Sequence, residues 1–204
     1  MVHAIIPLSL LEAIRNLDTP VEDGLSELAG ELVAKRLGLS PTVAAQIQRY
    51  EETARGDGTV SQAEAMSVFR LVDRRPDAEL VFADAGRRAA RHAGRAVRLP
   101  VRALVSATPG FVSRRVGFGA AARAARRILG GTLTLARAEA EARVDSPLSA
   151  KVAATGKGCA FYGAAFGELL RAQVGFEGAM LHQRCRARGD ESCQWRGIQT
   201  GAYE

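Results

Sequence analysis

Three cysteines and one histidine near the C-terminus are the residues whose types and spacing best suit chemistry. Cys159 comes first, seven residues separate Cys185 from Cys193, and His182 stands three positions before Cys185. If Cys185 and Cys193 face each other across a hairpin with a three-residue loop, 188–190, their Cβ atoms lie about 4.5–5.5 Å apart. The spacing therefore predicts two thiols side by side on one ribbon.

A helical stripe brings the third cysteine toward the other two. Cys159, Gly163 and Gly167 recur at every fourth position, and small residues on one helical stripe let a helix approach its neighbour closely. The nearest predicted neighbour is the hairpin that carries the other two cysteines. Three thiols then converge with His182 as a fourth donor, and a Cys3His set is a common structural zinc site.

The residues alone leave other interpretations of this group open. In a regular strand, residues three apart point to opposite faces, so His182 joins Cys185 only if the strand contains a bulge or a twist. Without it, Cys159 is a small buried apolar residue and the other two are ordinary strand residues. A Cys185–Cys193 disulfide is allowed by the spacing but is disfavoured in a reducing compartment.

The elements that must position these residues follow from the hydrophobic periodicity. Residues 1–129 show apolar stripes at helical spacing, with Ser40 before Pro41 as a helix start and Ser61-x-x-Glu64 as a capping box. From residue 130 the period changes to two, and the alternation over 132–143 predicts one or two strands with a solvated face.

The remaining residues complete an antiparallel unit. Residues 156–175 read as a helix and 178–198 as a hairpin. We therefore predict an α+β fold class, with a helical N-terminal half followed by an antiparallel sheet unit of order strand-strand-helix-strand-strand. The whole chain, 1–204, is predicted to be a single domain, in which residues 1–129 are mainly helical and residues 130–198 form the strand-and-helix core.

Composition limits the classes of function. The formal net charge is +6, but only three of the 28 basic residues are lysines. Such arginine enrichment reflects codon bias more than a designed patch, so we do not expect nucleic-acid binding. No apolar run approaches the roughly 20 residues of a membrane span, and the N-terminus lacks the features of a secretory signal. We expect a cytoplasmic protein with reduced cysteines.

Residues 156–196, GKGCAFYGAAFGELLRAQVGFEGAMLHQRCRARGDESCQWR, resemble the C-terminal half of the 4-vinyl reductase domain family. The shared features are a Gly-Cys pair on a helix with an aromatic-glycine stripe, a strand that ends in Cys, a Gly-Asp turn and a Cys-x-Trp strand. The resemblance covers 130–198 well and 1–129 only in helical order. The family includes hydrocarbon-binding proteins and the sensor domains of phenol-responsive activators, with a distant fold relation to TRAPP tethering-complex subunits.

The resemblance implies a metal site. In the sensor branch three cysteines and an acidic residue bind zinc, which here implies Cys159, Cys185 and Cys193, with His182 in the acidic position. Four protein ligands leave no open position, so the expected cofactor is a structural Zn²⁺. Arg184 and Arg186 are expected to offset the negative charge of the thiolates.

The resemblance also implies a small, largely apolar ligand enclosed between helices and sheet. The alternative is that the apolar residues of this region are plain core. The predicted function is non-catalytic binding of a small hydrophobic molecule for sensing or carriage, with no catalytic residues, by a homodimer that acts through a regulatory protein partner. The expected lining residues are Phe111, Phe118, Leu133, Leu135, Phe161, Tyr162, Phe166 and Trp195.

Two other functions stay open. A reductase, or a reductase accessory protein acting on a vinyl-bearing tetrapyrrole, would need a hydride donor, and Gly117-x-Gly119-x-x-Ala122 imitates a dinucleotide fingerprint, with Arg137 and Glu139 further on. The alternation over 132–143 instead favours an antiparallel strand, so we interpret the two glycines as a bend before a helix. The other function is a dimeric scaffold without a ligand.

Overall fold

Helices form where the first half of the chain has apolar stripes. The computed structural model describes residues 1–19, 40–95, 110–136, 139–152 and 155–199. Within them the first half contains α1 (Ile5–Asp18), α2 (Pro41–Arg55), α3 (Gln62–Asp73), α4 (Ala78–Arg95) and α5 (Gly110–Ala124). A two-stranded ribbon of β1 (Val2–His3) and β2 (Thr59–Val60), which the periodicity did not predict, joins the start of α1 to the connection between α2 and α3.

The predicted helix starts are confirmed by their caps. Ser40 accepts a hydrogen bond from the N–H of Val43 at 3.3 Å, with proline in the first turn. Ser61 accepts one from the N–H of Glu64 at 3.1 Å. The Glu64 carboxylate accepts a hydrogen bond from the hydroxyl of Tyr50 at 2.9 Å, which ties α3 to α2.

The second half contains the predicted antiparallel unit. A π-helical turn (Ala125–Leu129) follows α5, and Gly130 ends it in the left-handed region, at φ 64°. The elements after it are β3 (Thr132–Ala136), β4 (Glu139–Val144), a short α6 (Leu148–Val152), α7 (Cys159–Val174), β5 (Gly178–Arg184) and β6 (Cys193–Gln199). The sheet order is β3-β4-β6-β5 with antiparallel pairs throughout. The α+β class is confirmed.

Helix α7 packs between α4 and the sheet. A Cβ atom at Gly86 of α4 would lie 2.1 Å from the carbonyl oxygen of Phe161, so the two helices meet with their backbones in contact. On its other side, α7 places Gly163 against the indole of Trp195 in β6. The predicted close approach along the glycine stripe is thus present at Gly163.

One continuous cluster of buried side chains links both halves of the described chain. Phe69 and Phe82 stack at 5.3 Å, and Phe161 of α7 meets Phe69 edge-on at 5.7 Å. None of the described helices combines the length and the apolar character that crossing a bilayer requires.

We expect Gly86→Ala to lower the free energy of unfolding by about 1–3 kcal/mol, because the added methyl group forces two helix backbones apart. Gly94→Ala in the same helix is the matched control. Its nearest atom would be 3.9 Å away, and alanine favours a helix by up to about 1 kcal/mol over glycine. Urea unfolding of both variants measures the difference, and equal stabilities would contradict the close contact.

Candidate metal centre

The four predicted donors come together in the fold. Cys159 is the first residue of α7, Cys185 directly follows β5, Cys193 is the first residue of β6, and His182 lies within β5. The Sγ atom of Cys159 lies 3.8 Å from that of Cys185 and 3.7 Å from that of Cys193. One donor atom from each of the four residues lies within 4.8 Å of the others.

A β-bulge brings the histidine to the cysteines. His182 pairs with Trp195, but the next pair is Arg184 with Gln194, so Gln183 is an extra residue in β5. The extra residue reverses the alternation, which is the distortion that the sequence required before His182 could join Cys185. The His182 ring also stacks on the Trp195 indole, with centroids 4.8 Å apart and planes 14° from parallel.

The predicted three-residue hairpin loop is wrong. The connection between β5 and β6 contains a 3₁₀ turn, Arg186–Arg188. The Cys185 N–H donates to the Asp190 carboxylate at 2.6 Å, and the Cys185 carbonyl accepts from the N–H of Arg188 at 2.9 Å. Because the N–H and the carbonyl of Cys185 both bond within the loop, the hydrogen-bonded pairing of β5 with β6 ends before this residue.

Hydrogen bonds to two of the sulfurs come from the surrounding loops. The N–H of Arg186 donates to Cys193 Sγ at 3.3 Å, and the hydroxyl of the buried Ser149 in α6 lies 3.5 Å from Cys159 Sγ. The Arg186 guanidinium, expected to offset the thiolate charge, instead donates to the carbonyls of Asp145 and Glu191. Arg186 therefore contributes its backbone N–H to the centre.

The three buried thiols are not equivalent. The Cys159 thiol donates a hydrogen bond toward Cys193, which lowers the pKa of Cys193, and the Arg186 N–H acts in the same direction. The pKa of Cys159 is raised by that same hydrogen bond and by burial. Without a cation, these opposite shifts of pKa favour loss of the proton from Cys193 before Cys159.

The arrangement can hold a metal ion. An ideal tetrahedron with metal–sulfur bonds of about 2.3 Å has sulfur–sulfur edges of about 3.8 Å, and the two measured edges are 3.7 and 3.8 Å. A disulfide bond would need a sulfur–sulfur distance of about 2.05 Å. The Nε2 atom of His182 is buried and has no hydrogen-bond partner among the described residues, and such a nitrogen can donate its lone pair to a cation. The donor set is compatible with zinc.

Two solvent-facing grooves flank α7. One, here called the α5–sheet groove, lies between α5, the C-terminal end of α7 and the adjoining sheet, and its volume is about 1230 Å³. The other, here called the α4–β5 groove, runs along the small residues of α7 between α4 and β5 and has a volume of about 410 Å³. Cys159 and His182 line the α4–β5 groove, which gives a metal ion a path from solvent.

The predicted ligand-lining residues fall into two groups. Phe118 and Leu135 line the α5–sheet groove, whereas Trp195 borders the α4–β5 groove. Phe111 is the second residue of α5, but its side chain lies outside the described residues. The other predicted residues are buried and line neither groove: Leu133, Phe161, Tyr162 and Phe166.

Mutual packing explains the burial of the α7 aromatics. The Phe161 and Tyr162 rings meet edge-on at 5.3 Å, and Phe166 lies 5.6 Å from Trp195. The Tyr162 hydroxyl accepts a hydrogen bond from the N–H of Leu148 at 3.0 Å, which holds the start of α6 against α7. These rings join the helix to the sheet.

Sequence reasoning missed Ser149 and Asp190 as supports of the centre. Ser149 lies ten residues before Cys159 in a short helix that has too few turns to show a period. The sequence places Asp190 in the hairpin loop, and its Asp-x-x-Cys spacing before Cys193 gives no sign that its carboxylate hydrogen-bonds the N–H of Cys185.

The segment that imitates a dinucleotide fingerprint, residues 117–122, lies in a helix. Gly117 and Gly119 both fall within α5, so the predicted bend before a helix is wrong. A Cβ atom at Gly117 would lie 2.1 Å from the carbonyl oxygen of Gln173, so this glycine permits contact between α5 and α7. Arg137 lies outside the described residues. The strand–turn–helix context of a nucleotide-binding loop is absent from residues 110–136.

No family model, curated protein or solved structure matches this chain.

We expect His182→Phe to weaken metal binding by more than the roughly 10–100-fold that follows from loss of an outer hydrogen-bond partner, because phenylalanine keeps an aromatic ring next to Trp195 but has no donor nitrogen. Competition with a chromophoric chelator measures the affinity. Gln183→Ala, at the exposed bulge residue, is the control for general effects of a substitution in β5. If His182→Phe bound the metal as tightly as the parent protein, the histidine would be excluded as a ligand.

Metal affinity should rise with pH. The raised pKa of Cys159 means that its proton must leave before the sulfur can bind a cation, and each proton released makes the affinity increase about tenfold per pH unit. Chelator competition between pH 6 and pH 8 tests this dependence, with correction for the chelator's own protonation. A flat profile would show that no thiol proton is displaced in this range.

Proposed function

We propose that the protein binds a small hydrophobic molecule without transforming it, for sensing or carriage, in a fold held by a structural Zn²⁺. We also propose that the chain belongs with the 4-vinyl reductase domain family. The α5–sheet groove is the observation that supports ligand binding. Ligand pockets of proteins have volumes of about 300–1,000 Å³ and are mostly apolar, and this groove, at about 1230 Å³, can admit such a molecule.

The groove has an apolar floor made by separate elements. Leu170 and Val174 come from α7, Phe176 from the turn after it, and Phe118 from α5. Leu135 of β3 extends this lining and is 57% exposed. Burial of such a side chain by a ligand contributes about 25 cal/mol per Å² of apolar surface removed from water.

Zinc would act at the opposite end of the same helix. Cys159, His182, Cys185 and Cys193 would occupy all four tetrahedral positions, so the ion would have no site for a substrate or water. Bound there, the ion would cross-link the start of α7 to the β5–β6 connection. Because the C-terminal end of α7 forms one side of the groove, the metal and the ligand would stabilise the same helix.

The proposal also includes a homodimer, a regulatory protein partner and a cytoplasmic location, where thiols stay reduced. The reductase alternative has less support, because Gly117 and Gly119, where a nucleotide-binding loop was possible, lie within helix α5.

Native mass spectrometry of protein purified without added metal or chelator tests the proposal. We expect one zinc ion per chain, a co-purified or added hydrophobic molecule, and a subunit count that reports a dimer. Chelator treatment should lower the Tm, because an ion that binds only the folded state stabilises that state. The emission of Trp195, the single tryptophan of the chain, should change with it, since its indole stacks on a proposed ligand of the metal, His182.

Distinct outcomes separate the alternatives. A dimer that binds neither zinc nor any apolar molecule would support the scaffold function. Loss of NADPH absorbance with a vinyl-bearing substrate would support a reductase. A metal-free chain whose Tm is unchanged by chelator would contradict the zinc assignment.

A further inference from the structure

Two arginines at the α5–sheet groove have no charged partner in the portion of the chain that the structure describes. Arg114 and Arg115 are exposed, line the groove and form no ion pair with any described residue. Arg196, on the opposite wall, differs because the Glu139 carboxylate neutralises it. Among the described residues, the α5 wall of the groove therefore carries two unpaired positive charges next to apolar surface.

The charged and apolar groups have a defined relation along α5. Phe118 follows Arg115 by three residues and Arg114 by four, and such residues are neighbours on one face of a helix. All three line the groove. A ligand that contacts Phe118 therefore has a guanidinium within one helical turn.

The apolar surface extends away from these arginines. Leu135 is 57% exposed and lines the same groove. A large apolar side chain at such exposure, beside the floor formed by Leu170, Val174 and Phe176, marks a binding surface more than a random area of the exterior. The groove thus offers a long apolar wall and a positive site at α5.

We infer that the ligand is an anionic amphiphile, a hydrocarbon body with one carboxylate or phosphate group, whose anion binds Arg114 and Arg115 while its apolar portion lies against Phe118 and Leu135. This inference rests on the proposed function, because it names the class of molecule that the groove takes. Arginine guanidinium groups present N–H donors in a planar fork that matches both carboxylate and phosphate oxygens.

The test compares three probes with the same twelve-carbon chain, namely dodecanoate and dodecyl phosphate below their micellar concentrations and dodecanol below its solubility limit. We expect the two anions to bind about 10–100-fold more tightly than the alcohol, as one or more charge-assisted hydrogen bonds would give. Titration calorimetry on the metal-containing full chain gives the three Kd values. Comparison of dodecanoate with dodecyl phosphate decides which head group is preferred.

The double variant Arg114→Gln/Arg115→Gln should remove the preference for the anions and leave the Kd of dodecanol within about twofold. The matched control is Arg123→Gln/Arg126→Gln, which removes the same charge from exposed positions near the end of α5 that do not line the groove. The control should keep the preference, which excludes a general effect of net charge. Far-ultraviolet circular dichroism checks that both variants remain folded.

The failures of the two proposals differ. If all three probes bind equally, or if the groove variant keeps the preference, the anionic class is wrong while hydrophobic binding stands. If none of the probes binds to the parent, both proposals are wrong. The comparison of acid with alcohol on the parent protein needs no variant, so a variant that fails to fold does not decide the result.

Discussion

Helix α7 touches α4 with its backbone on one side and packs on the sheet on the other. A Cβ atom at Gly86 would lie 2.1 Å from the carbonyl oxygen of Phe161, which leaves no room for the helix to shift toward α4. Trp195, buried and in contact with Gly163, limits movement toward β6. Because the helix is fixed laterally, its first residue meets the β5–β6 connection and its last turn borders the α5–sheet groove. Both candidate sites depend on this packing.

Around the start of α7, the fold places four polarisable donors in one small buried space. Thiols tolerate burial because they behave as small apolar groups, but an imidazole nitrogen with no partner is costly there. The Arg186 N–H and the Ser149 hydroxyl approach two sulfurs, yet Nε2 of His182 has no partner among the described residues. A cation shared by these atoms would remove that cost, and this supports the metal proposal on physical grounds independent of any family resemblance.

The distribution of aromatic residues separates core from groove. Phe161, Tyr162 and Phe166 lie on faces of α7 that meet α4, α6 and the sheet, and large rings contribute most when fully removed from water. The groove lies at the C-terminal end of the helix, where smaller side chains such as Leu170 and Val174 face it. A hydrophobic residue on a central helix is therefore weak evidence for a ligand wall, whereas an exposed one at the meeting point of several elements is stronger evidence.

Local rules within the sequence determined much of this protein: the helix starts at Ser40 and Ser61, the period-two alternation that forms β3 and β4, and the stripe that directs Cys159 and Gly163 toward the sheet. Each depends on neighbouring residues in one element, where side-chain direction follows from the backbone period. The same reasoning directed the three cysteines toward one another, but it placed His182 on the opposite face of a regular strand. The bulge at Gln183, the loop that Asp190 closes, and the choice of which apolar residues border a groove were decided only by the tertiary structure. They depend on contacts between residues distant in sequence, and no period within one element specifies those contacts.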